Sequence, residues 1–111
     1  MKYALVILND RETHRPLNSE QADFELAAGW WARLGGRLVA QARLGSPNNV
    51  ISISWKGAEP LITDGPYVEA KETVGDIIVV DVESMEEAVT FAKTFPNKAG
   101  CRIEVRPVLE P

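Results

Sequence analysis

From Lys2 to Asn9 the chain alternates, with Tyr3, Leu5 and Ile7 facing one way and Ala4, Val6 and Leu8 the other, which predicts a strand that is apolar on both faces. A polar loop follows to Pro16. Asn18 or Ser19, with Glu20 in the first turn and Gln21 three residues after Asn18, marks a helix start. Phe24, Ala27, Ala28, Trp31 and Leu34 then recur at helical spacing, and Gly35-Gly36 ends the run. Trp30 and Trp31 point about 100° apart on such a helix. Only one of them fits the stripe, so Trp31 is expected inside and Trp30 half-exposed or lining a cleft.

Arg37 to Leu44 reads as a second strand, closed by Gly45-Ser46-Pro47-Asn48-Asn49. Val50 to Trp55 alternates and turns through Lys56-Gly57-Ala58-Glu59 into Leu61-Ile62-Thr63, a hairpin. Val74 to Val82 has few polar positions besides Asp76 and Asp81, the pattern of a strand covered on both faces. Ser84 with Glu87 three residues on is a capping box for a second helix, whose stripe is Met85, Ala88, Val89, Ala92 and Phe95 and which ends by Pro96. Ile103, Val105 and Val108 alternate with charged residues in a last strand, where Pro107 suggests an edge or an end.

The order is βαββαβ with one inserted hairpin, a split βαβ unit in a single domain over residues 1–111. Two helices cover only one face of such a sheet. The first strand and the strand from Val74 are apolar on both, so the second face needs its own cover, worth about 1.5 to 3 kcal/mol for each large side chain buried. A second copy related by twofold symmetry is the simplest cover, so a homodimer is expected.

Composition narrows the function classes. With 111 residues, 45% hydrophobic and 25% charged, the chain can bury a core without metal or disulfides and reads as globular. Its 12 basic against 16 acidic residues, a formal charge of −4, argue against direct binding of nucleic acid. One cysteine, Cys101, cannot form an internal disulfide, which fits a reducing cytoplasm. No run reaches membrane-spanning length, so no membrane role is expected. Dinucleotide, phosphate-loop and zinc-protease motifs are missing, and no cofactor is expected.

The stretch that concentrates chemistry is Asp64-Gly65-Pro66-Tyr67-Val68-Glu69-Ala70-Lys71-Glu72. Asp-Gly-Pro makes a stiff bend, and the Asp64 carboxylate can either accept backbone amides there or serve a site. If the following residues are extended, Glu69 and Lys71 share one face and Glu72 takes the other. An acid and a base would then project together, either as a surface ion pair or around a polar ligand. His14, the only histidine, lies near Asp10 and Glu12 and can act beside a carboxylate.

This nine-residue motif resembles the signature of YCII-related proteins, in the branch carrying the DGPF domain, with Tyr67 where Phe is usual. The likeness extends to the Met1-Lys2-Tyr3 opening, Gly35-Gly36, the run from Val74 to Val82 and Glu104-Val105-Arg106-Pro107. It implies a ferredoxin-like α+β domain pairing into a dimeric α+β barrel, in a family of mostly unassigned activity. Some members are thought to use a His and Asp pair. His14 is a candidate here on its own neighbourhood, not by a motif match.

Three functions are therefore expected as alternatives. One is a small-molecule enzyme with Asp64, Glu69, Lys71 and His14 as acid–base or orienting groups near the DGPY loop. Another is a non-catalytic ligand-binding module using the same residues. The third, implied by the resemblance, is a regulatory accessory of an extracytoplasmic-function sigma factor.

Overall fold

The computed structural model describes residues 1–10, 28–45, 47–65, 71–96 and 101–110. Its main sheet has four antiparallel strands in the order β2-β5-β1-β6, where β1 is Lys2–Asp10, β2 Leu38–Arg43, β5 Glu72–Asp81 and β6 Cys101–Pro107. Leaving aside the intervening hairpin, that is the strand order of a ferredoxin-like α+β fold. Helix α1, described over residues 28–32, and helix α2, Met85–Ala92, supply the helical layer.

The register explains which face is covered. Tyr3, Leu5 and Ile7 lie opposite Val80, Ile78 and Asp76 on one side and Pro107, Val105 and Ile103 on the other. These residues meet Trp30, Trp31, Leu34, Ala88 and Ala92 in the core. The alternate positions make the opposite face: Ala4, Val6 and Leu8 lie beside Val79, Ile77 and Val74, flanked by Ala40 and Ala42 of β2. Val74 and Ile77 each keep 38% of their surface open. The expected two-sided burial of this strand is thus met on its helical side, while its other side stays partly open in the single chain.

Helix α2 begins as its sequence predicts, with a small variation. Ser84 Oγ accepts the Glu87 amide at 3.2 Å. Glu87 returns not to the cap residue but to the amide of Glu83, at 2.9 Å, and so satisfies a donor one residue earlier. Trp30 corrects the sequence reading. It is 3% exposed, stacked on Phe91 at 4.5 Å and edge-on to Phe95 at 4.9 Å, and its indole N–H donates to Thr94 Oγ1 at 2.8 Å. Both tryptophans are inside because they meet different neighbours in one core: Trp31 is in the stripe of its own helix, and Trp30 meets the end of α2.

The inserted hairpin is a sheet of its own, β3 (Ile51–Lys56) paired with β4 (Glu59–Asp64). Its two-residue loop is Gly57-Ala58, where Gly57 takes φ +62° and Ala58 stays at negative φ, the demand of a turn with glycine in its first central position. Apart from Ser52, every side chain of both strands is exposed. Among the described residues, no helix is long and apolar enough to cross a membrane.

Candidate functional site

The motif segment joins β4 to β5, and its two ends are described. At the first end Gly65 takes φ +93°, a conformation that suits glycine. Its N–H donates to the Val50 carbonyl at 2.6 Å, and its own carbonyl accepts from Ser52 Oγ at 2.7 Å. The bend is therefore fastened to the base of the hairpin by one backbone bond and by the Ser52 hydroxyl. Asp64, opposite Ile51 in the register, is exposed, and its carboxylate makes no hydrogen bond among the described residues. The downstream amides that this carboxylate could accept, from residue 67 onward, lie outside the described residues.

At the second end Lys71 is exposed just before β5, and it too has no ion pair among the described residues. Glu69 and His14 lie outside the described residues, as do Pro66 and Tyr67. The pairing expected of Glu69 with Lys71 therefore also lies outside them.

Glu72 has a partner that the sequence did not announce. Arg102 of β6 donates to both its oxygens, from Nε at 2.9 Å and from Nη2 at 2.7 Å. Its Nη1 reaches Glu104 at 3.2 Å. In the register Arg102 lies opposite Leu8, while Glu72 lies opposite Asp10. The guanidinium thus crosses β1 diagonally on the helix-free face, with the planar fork matched to the carboxylate. The hydrogen bonds from Arg102, and then its charge, hold Glu72 below the usual glutamate value, against the upward push of desolvation and of Asp10. The same partner raises Arg102 further above its already high value. Glu72 is a poor proton acceptor in this state, and it is better suited to fixing charge and geometry. Sequence inspection could have found this pair only by setting the register of β6 on β1.

On the helical side Asp76 is 7% exposed, a carboxylate within the covered layer, opposite Ile7 and Arg43 in the register. Next to it the β1 and β5 register slips by one residue at Gly75, since Ile7 pairs with Asp76 and Leu8 with Val74. The Asn9 side chain fills the space that a Cβ on Gly75 would need. This is why the bulge falls on a glycine.

Two shallow grooves, each of about 300 Å³, lie elsewhere: one lined by Met1, Arg37, Asp81, Val82, Glu83 and Glu87, the other by Ala28, Trp31, Ala32, Gly35, Leu38 and Gln41. Neither includes Asp64, Lys71 or Glu72. Among the described residues, no three His, Cys, Asp or Glu side chains form a group able to hold a metal ion.

Comparison with known proteins gives a relative without an assigned role. The chain is 31% identical over 75 residues to an uncharacterized protein, R00369, of Rhizobium meliloti (strain 1021), across 66% of this chain and 60% of that protein. The chain thus spans less than two thirds of the length of this curated relative. A sequence model of the YCII-related domain matches residues 1–110, nearly the whole chain, and on that match this protein belongs to the YCII-related family.

Proposed function

We propose that the protein binds and transforms a small polar molecule at the segment joining β4 to β5, and that it works as a homodimer closed through the helix-free face of its sheet as a dimeric α+β barrel. Asp64 and Lys71, joined by Glu69 and His14, are the acid–base and orienting groups. The observation that carries this reading is the division of labour among the charges at the two described ends. Glu72 is committed to Arg102, whereas Asp64 and Lys71 stand exposed with no partner among the described residues. A carboxylate at a fastened bend and an ammonium at the other end of the same segment, both unspent among the described residues, can take up a polar ligand and move its protons.

The fixed state of Glu72 favours a second reading, a binding module without chemistry, because a carboxylate held by a bidentate arginine orients a ligand better than it transfers protons. One experiment addresses both. A thermal-shift screen of small carboxylates, amines and phosphates should give a hit for the wild type that Asp64→Asn and Lys71→Met lose while keeping their melting temperature. Incubation of the hit with stoichiometric protein, followed by NMR, should show its conversion. Equal binding by both variants would place the site elsewhere, and binding without conversion would leave the module reading.

A further inference from the structure

The β3–β4 hairpin is two-faced along most of its length. The register puts Ile51, Ile53 and Trp55 on the same side as Ile62 and Pro60, with Asp64 at the base of that side, while Ser52, Ser54, Thr63, Lys56 and Glu59, with Leu61 among them, take the other. This apolar side is open: Ile51 is 67%, Ile53 53%, Trp55 67% and Ile62 70% exposed. A lone two-stranded hairpin is marginal in water, and an exposed contiguous apolar patch marks a contact surface. Apart from Ser52, the side chains of both strands are exposed on either face, so the hairpin projects and its apolar side is not folded onto its own sheet.

We propose that this hairpin is an arm whose apolar side docks on a second copy of the same chain. The inference extends the homodimer reading above and rests on it. Two observations choose this occupant. The same chain carries a second partly open apolar surface, the helix-free sheet face with Val74 and Ile77. The areas also fit: the hairpin side offers roughly 300 to 500 Å² of open apolar surface, about half of the 800 Å² or so per partner that a stable interface buries. The arm by itself falls short of that size, and the open sheet face with Val74 and Ile77 supplies further apolar surface. A twofold interface uses every patch twice, so each arm reaches the partner while receiving the other's arm. Because β4 ends at Asp64 and Gly65 is tied to the hairpin base, a docked arm also fixes one end of the motif segment against the partner.

Sedimentation equilibrium on the wild type and on the double variant Ile53→Ser/Trp55→Ser tests the arm. The arm predicts a wild-type dimer whose dissociation constant rises by on the order of 100-fold or more in the variant, as expected for loss of two apolar anchors. A wild-type dimer with an unchanged constant in a folded variant would overturn the arm and leave the sheet-face dimer standing. A monomeric wild type would overturn both. Acrylamide quenching of the wild type needs no variant. Trp30 and Trp31 are buried in the single chain and Trp55 is open, so quenching should fall as protein concentration rises through the dimer transition. A Trp55 fraction that stays quenchable when the protein is fully dimeric would contradict docking.

Discussion

Glu72 and Arg102 are thirty positions apart and meet only because β6 lies beside β1. Their pair makes stability sensitive to acid with a definite sign. The hydrogen bonds from Arg102 hold the Glu72 carboxyl below the ordinary glutamate range in the folded state, so the unfolded chain binds a proton more readily. The stabilisation is complete above the unfolded value and is lost as the pH falls through the folded one. Thermal melts in acid should therefore show a steeper loss in the wild type than in Glu72→Gln, with the two curves converging at low pH. Parallel curves would show that the pair adds nothing. Asp64 and Lys71 differ in kind, since neither is held by a partner among the described residues. The sequence singled out all three residues together, and periodicity alone could not say which was already occupied.

At the scale of elements, periodicity gave the strands, the hairpin and the start of α2, because each carries its own signal: alternation, a Gly57 turn, a Ser84 cap. Trp30 was illegible for a physical reason. Its ring packs on Phe91 and Phe95, some sixty residues onward, and a helical wheel contains no information about a partner that arrives from another helix. The bulge at Gly75 was equally hidden, since it depends on Asn9 across the strand pair. Gly75→Ala should force the Asn9 side chain out of place and cost about 1 to 3 kcal/mol, the usual range for overpacking. Chemical denaturation gives the value directly. A change below about 0.5 kcal/mol would mean that Asn9 moves aside freely, since that is the scale of a neutral surface substitution.

At the scale of the whole molecule, a single sheet carries helices on one side and an open, largely apolar strip on the other. β1 and β5 are apolar on both faces in sequence, and the strip is where Ala4, Val6, Leu8, Val74, Ile77 and Val79 fall. This strip, more than the motif, argues that the working unit is a pair of chains, and the charged row Arg102, Glu104 and Arg106 on β6 borders it. The sequence pointed to the need for a cover, but which residues share the open face depended on the bulge-corrected register. Light scattering on the wild type and on Ile77→Glu, at tens of micromolar, measures the claim most directly. The account predicts twice the 12.2 kDa chain mass for the wild type and the mass of a folded single chain for the variant. A wild type of single-chain mass, or a variant that pairs as tightly as the wild type, would contradict it.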